Sequence, residues 1–127
     1  MESRNIEIEI GEVPPSVNAM YRHSKFGVYM TPKGREFKEY VQLSLKNLVR
    51  AGKIAPYSDE RLKVEYEFHF KGKRKRDTDN YIKSIQDCLE GILFDNDEQI
   101  EELTAKRFYH AEYNHTVIKA YELKEVA

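Results

Sequence analysis

The chain has little of what several common protein classes depend on. Of its 127 residues one is cysteine, Cys88, and none is tryptophan. A single thiol excludes an internal disulfide framework and is in keeping with a reducing compartment. The longest apolar stretches fall far short of a membrane span, and the first twenty residues contain no signal-type apolar core, so a cytoplasmic protein is expected. Six glycines and four prolines leave no room for a collagenous, linker-rich or low-complexity chain. Neither a glycine-rich phosphate loop nor a G-x-S-x-G nucleophile turn is present. The four histidines, His23, His69, His110 and His115, show no spacing that would pair them with the one cysteine around zinc. Calcium loops fail on position, since Ile82 and Ile100 stand where such loops beginning at Asp77 or Asp95 need glycine.

What remains is an α+β pattern sized for one domain, 1–127, with a modest core. Ile6, Ile8 and Ile10 alternate with polar residues and predict a first strand over 5–10. Residues 11–18, with Pro14 and Pro15, read as a rigid loop. Met20 to Met30 reads as a hairpin turning near Lys25 to Gly27, on which Tyr21, Arg22, His23 and Lys25 are placed to meet sugar-phosphate. Thr31-Pro32 is an N-cap with proline at the first helical position, and Phe37, Tyr40, Val41, Leu45, Leu48 and Val49 carry a helix to Gly52. A loop over 53–61 precedes a strand at 62–70, whose alternate positions Leu62, Val64, Tyr66, Phe68 and Phe70 are apolar. Ile82, Ile85, Leu89 and Ile92 predict a second helix from Asn80 to about Leu93, with Cys88 as a small core residue on its apolar side. Two strands, 99–110 and 116–123, complete a small mixed sheet packed against two main helices.

Charge is distributed unevenly. Residues 22–76 hold fifteen bases and six acids, whereas residues 77–127 hold five bases and twelve acids. The transition falls in Lys71-Gly72-Lys73-Arg74-Lys75-Arg76-Asp77-Thr78-Asp79-Asn80, where five cations in six residues run into two carboxylates at the start of a helix. Such an arrangement attracts a polyanion and holds a divalent cation beside it. In an extended segment Asp77 and Asp79 project to one side with backbones roughly 6.6 to 7 Å apart. Magnesium prefers a few carboxylate oxygens completed by water and phosphate. The competing reading is that one aspartate merely caps the helix. Lys83, four residues after Asp79, is its expected neighbour on the helix surface, and a further acidic turn lies at Asp95 to Glu98.

Taken in order, these features resemble the RusA-type Holliday junction resolvases, a family often found in phage or prophage. The resemblance rests on Val13-Pro14-Pro15-Ser16-Val17-Asn18 with Tyr21-Arg22, the Thr31-Pro32 helix, the strand into Lys73-Arg74-Lys75-Arg76-Asp77-Thr78-Asp79-Asn80, Lys83, and Asp97-Glu98-Gln99-Ile100. It implies a homodimeric endodeoxyribonuclease that nicks two strands of a four-way DNA junction with Mg2+, for which Mn2+ substitutes. Carried over by position, it implies Asp77, Asp79 and Asp97 as metal-binding catalytic carboxylates and Lys83 as a catalytic cation. Lys71, Lys73, Arg74, Lys75 and Arg76, with Asn18, Tyr21 and Arg22, are then the nucleic-acid contacts. Many relatives have adjacent aspartates in the later turn, whereas this chain has Asp95-Asn96-Asp97, which keeps Asp95 open as an alternative ligand. A helix from Asn80 to Leu93 is about 21 Å long, and it separates Asp79 from Asp97. A composite site, with Lys83 or Asp97 donated across a dimer, is therefore expected. The alternative function is a non-catalytic protein that binds branched DNA through its basic run.

Overall fold

The structure is a computed structural model that describes residues 4–74 and 76–124. Lys75, assigned above to nucleic-acid contact, lies outside the described residues. The elements follow as β1 (Asn5–Ile10), α1 (Val17–Met20), β2 (Tyr21–Ser24), β3 (Gly27–Met30), α2 (Pro32–Arg50), β4 (Leu62–His69), α3 (Asp79–Leu89), β5 (Ile100–Phe108) and β6 (His115–Glu122). Four strands form a mixed sheet in the order β1-β6-β4-β5, in which only the β4–β5 pair is parallel. The β2–β3 hairpin is a separate two-stranded ribbon. The expected α+β domain, a small mixed sheet against two main helices, is what forms.

Alternation determines which face of the sheet is dry. Ile6, Ile8, Ile10, Leu62, Val64, Tyr66, Phe68, Ile118 and Ala120 are buried in one cluster with Phe37, Val41 and Leu45 of α2 and Ile85, Cys88 and Leu89 of α3. The other face carries charge, as where Lys119 Nζ lies 3.1 Å from Glu67 and 3.7 Å from Glu7. Helix α2 starts as its sequence predicts, with Thr31 Oγ1 accepting from the Gly34 amide at 3.0 Å. Gly34 is required by close approach, because a Cβ there would sit 2.7 Å from the Met20 carbonyl oxygen.

Two expectations change. The loop assigned to residues 11–18 ends early, because Ser16 accepts from the Ala19 amide and starts the one-turn helix α1. Helix α3 stops at Leu89 rather than near Leu93. Glu90 turns extended and Gly91 takes φ 89°, a left-handed conformation that glycine adopts without a Cβ clash. Ile92 therefore lies beyond the helix whose face it was expected to share. The loop before β4 also holds a core residue that its polar composition concealed. Tyr57 is 3% exposed, and its hydroxyl donates to the Arg4 and Ala120 carbonyls at 2.8 and 3.1 Å.

Candidate active site and nucleic-acid interface

The basic run follows directly from β4 and is tied down on its far side. The Phe70 amide donates to the Phe108 carbonyl, the Lys71 amide to Asn114 Oδ1, and the His110 amide to the Gly72 carbonyl. His110 adopts φ 63°, an uncommon conformation for a residue with a side chain, held here by that bond. The Arg76 amide donates to the Tyr109 hydroxyl at 3.2 Å, the Arg107 guanidinium donates to the Arg76 carbonyl, and the Arg76 guanidinium lies 4.4 Å from the Phe70 ring centre. A segment that composition would assign to a solvated loop is thus anchored to the β5–β6 connection.

This anchoring builds a cationic cavity. Arg74, Arg76 and Arg107 line a space of about 500 Å³ together with Ser16, Asp77 and Asn80. A larger cleft of about 770 Å³ adjoins it, sharing Ser16, Arg76 and Tyr81, and is walled by Pro14, Pro15 and Phe37. Lys71, Lys73, Asn18 and Arg22 are exposed. Arg107 was missed from sequence because it lies in the acidic half of the chain. The signal was topological: a β4-α3-β5 crossover sets parallel strands side by side, so the end of β5 flanks whatever leaves the end of β4.

Asp77 and Asp79 stand at the N-terminus of α3, both exposed. Neither makes a hydrogen-bonded cap, since Thr78 occupies the N-cap position and makes no side-chain cap bond, while Asp79 lies in the first turn, where the helix N-terminus favours a carboxylate. Among the described residues neither carboxylate enters an ion pair or a side-chain hydrogen bond within the chain. Lys83 turns forward along α3 rather than back to Asp79: its ammonium lies 3.1 Å from Asp87 Oδ2. The Tyr21 hydroxyl donates to the same Asp87 oxygen, and Lys83 sits 5.4 Å from the Tyr21 ring centre. Burial first, and then the bond to Asp87, push the Tyr21 phenol above its ordinary range. Two residues expected at the DNA surface and the catalytic centre, Tyr21 and Lys83, are therefore joined through Asp87. The i,i+4 spacing of Lys83 and Asp87 was the available signal for half of this arrangement.

Asp97 lies beyond the other end of α3, in a single 3-10 turn, Asp97–Gln99. Gln99 explains the conformation of this turn. It is 5% exposed, its Oε1 accepts from the Asp95 and Asn96 amides at 3.0 and 2.9 Å, and its Nε2 donates to the Glu60 carbonyl at 2.9 Å. Asn96 completes the reciprocal cap. The Tyr66 phenol, which donates to Gln86 Oε1 at 2.9 Å, is pushed up by burial first and then by the fields of Asp87 and Asp97.

The eleven residues of α3 span about 16 Å, with Asp77 and Asp79 at one end and Asp97 past the other. Among the described residues no three carboxylate, imidazole or thiol groups of this chain converge on a point that would hold a metal ion. The donor chemistry at Asp77 and Asp79, exposed oxygens without thiolate or imidazole, suits a hard divalent cation. Asp77 and Asp79 thus stand at the head of α3, and Asp97 lies past its other end.

A family model described as Endodeoxyribonuclease RusA matches residues 11–121. The chain belongs to the RusA endodeoxyribonuclease family. Among curated relatives, the crossover junction endodeoxyribonuclease of Enterobacteria phage HK97 is 28% identical over 114 residues, which cover 89% of this chain and 92% of that protein. The crossover junction endodeoxyribonuclease of Escherichia coli K12 is 31% identical over 77 residues, 60% of each chain. The matched residues, 11–121, include the basic run, the paired aspartates, Lys83 and the Gln99 turn.

Proposed function

We propose that this protein is a magnesium-dependent endodeoxyribonuclease that resolves four-way DNA junctions by paired nicking as a homodimer. The observation that carries this reading is the exposed Asp77–Asp79 pair, which makes no hydrogen-bonded helix cap, set against a cavity lined by Arg74, Arg76 and Arg107. Membership of an endodeoxyribonuclease family and the printed activity of the relatives support the reaction type. Among the described residues no helix is long and apolar enough to cross a membrane, and we place the protein with its DNA in the cytoplasm.

In this reading the three arginines, with Lys71 and Lys73, hold the sugar-phosphate backbone by charge and leave the bases unread. Asp77, Asp79 and Asp97 hold Mg2+, with Mn2+ able to substitute, and a bound ion supplies an activated water and a polarised phosphoryl oxygen. Lys83 offsets negative charge developing on the phosphate. Asp87 fixes where the Lys83 ammonium points, which makes it a positioning residue. Paired nicks call for two equivalent sites, which a two-fold dimer provides.

The decisive comparison is binding against cleavage for Asp79→Asn on a four-way junction. Cleavage should disappear while binding is kept or strengthened, since the change removes negative charge beside phosphate and alters no cap bond. Wild-type protein that binds the junction but cuts it under no divalent metal would favour the non-catalytic binder.

A further inference from the structure

We infer that the β2–β3 hairpin is a wedge whose tip residue, Phe26, stacks on the base-pair face laid open at a DNA branch point, and that this stacking makes the protein prefer a junction to duplex. The inference deepens the proposed function and rests on its DNA-binding half, independently of catalysis.

Charge alone does not supply such a preference. In the reading above, Arg74, Arg76 and Arg107 hold phosphate, which an unbranched duplex presents as well, so contacts of that kind bind without choosing. What a branch point adds is a base pair with no neighbour stacked on one face. An aromatic ring laid there displaces no base, whereas wedging into continuous duplex has first to part a stacked step.

The hairpin is built to present such a ring. It stands apart from the main sheet as a ribbon of its own, Tyr21–Ser24 against Gly27–Met30, with Lys25 and Phe26 at the tip. Ser24 locks that tip, its hydroxyl accepting from the Phe26 amide at 3.1 Å and donating to the Gly27 carbonyl at 3.2 Å. Gly27 takes φ 116°, a conformation that strains any residue with a Cβ. Phe26 is 90% exposed, the most exposed large apolar side chain among the described residues. The Lys25 ammonium lies 5.1 Å from the centre of its ring, a cation placed for the phosphate that flanks a stacked base.

The rest of the ribbon carries the same chemistry. Residues 21–30 include Arg22 and Lys25 and no carboxylate. Among the described residues neither cation enters an ion pair within the chain. Arg22 is directly opposite Tyr29, so the two share a face, and both are exposed. Tyr21 and Met30 take the other face and pack against the core, which turns Arg22 and Tyr29 away from the body of the protein. Val28 lies on the opposite face from Tyr29, so the exposed apolar side chains do not merge into one patch of the kind that docks a protein. Rings interleaved with cations and free of acids complement nucleic acid.

The foot of the hairpin determines where the wedge acts. Tyr21, its first residue, donates to Asp87, and the Lys83 ammonium lies 5.4 Å from the Tyr21 ring centre. The four residues of β2 carry the chain roughly 13 Å from there to the tip. At about 3.4 Å per nucleotide, a branch point held on Phe26 lies within about four nucleotides of a phosphate at Lys83.

The test is binding in EDTA, where cleavage does not intrude, to a four-way junction and to linear duplex. Wild type should prefer the junction. Phe26→Ala should lose about tenfold in junction affinity while keeping its duplex affinity and its salt slope, because a stacking ring has gone and no charge with it. Phe26→Trp should keep the preference. The chain has no other tryptophan, so the emission of that variant reports the tip alone, and it should be quenched by the junction and unchanged by duplex. A Phe26→Ala variant that binds both DNAs as wild type does, or loses both equally, overturns the wedge, as does Phe26→Trp emission indifferent to the junction. A change in sedimentation of Phe26→Ala without DNA would assign the tip to a protein contact and overturn it too. Wild type that prefers the junction through Phe26 yet cuts it under no divalent metal upholds the wedge and removes the nuclease reading. Wild type that cuts junctions without binding them better than duplex does the reverse.

Discussion

At the scale of single residues, polar groups are either engaged or conspicuously not. The Ser84 hydroxyl is buried in α3 and, among the described residues, is the one buried side-chain oxygen without a hydrogen-bond partner. Leaving such a group unpaired costs free energy, and alanine is the better helix former. Ser84→Ala should therefore stabilise the protein by about 1 kcal/mol in urea unfolding; a destabilised variant would contradict the account. The buried tyrosines govern the alkaline limit. Burial pushes the Tyr57 phenol up from 10.0 to about 12, and Tyr21 and Tyr66 move in the same direction. The fold thus favours the neutral phenol, a contribution complete below pH 10 and lost as pH climbs through the folded value. The urea midpoint should be insensitive to these groups up to about pH 9.5 and fall between pH 10 and about 12. Burial likewise pushes the Cys88 thiol up to about 12, in accord with its reading as core rather than nucleophile.

At the scale of elements, the turn that carries Asp97 depends on one side chain. Gln99 receives two amides and donates to one carbonyl, so Gln99→Ala removes three hydrogen bonds and should cost about 2 kcal/mol. Because it frees the segment that holds Asp97, activity should fall further than stability explains. The comparison is cleavage measured at a temperature where both proteins are fully folded, and equal activity there would refute the positioning role. Most elements were legible beforehand. Strict alternation in β1 and β4 and the Thr31-Pro32 start of α2 are local signals with local causes. The end of α3 was less legible because Ile92, Leu93 and Phe94 continue an apolar pattern beyond the point where Gly91 reverses the chain.

At the scale of the whole molecule, affinity for DNA is a sum of cationic contacts drawn from distant segments. Removing Arg74, Arg76 or Arg107 one at a time, as the alanine variants, should weaken junction binding across all sequences tested. Each should reduce the salt slope of log K by about 0.9. Arg107→Ala separates the assembled surface from the linear run: an unchanged slope would confine binding to residues 71–76. The molecule also redistributes charge that looks segregated along the chain. Arg61 meets Glu98 and Glu101 at 3.1 and 2.9 Å, so part of the acidic half neutralises a base of the central segment, while Lys119 of the acidic half meets Glu67 of the central one.

The sequence by itself determined the α+β domain, the half-buried strands, the cationic run and the aspartates at the head of α3, because each is set by residue types at short, regular spacing. Only the tertiary structure decided that Arg107 joins Arg74 and Arg76, that Asp87 gathers Tyr21 and Lys83, and that Asp97 lies away from Asp77 and Asp79. Those outcomes depend on a parallel crossover placing distant strand ends together and holding helix ends apart, a property of the path of the chain through space that no local spacing records.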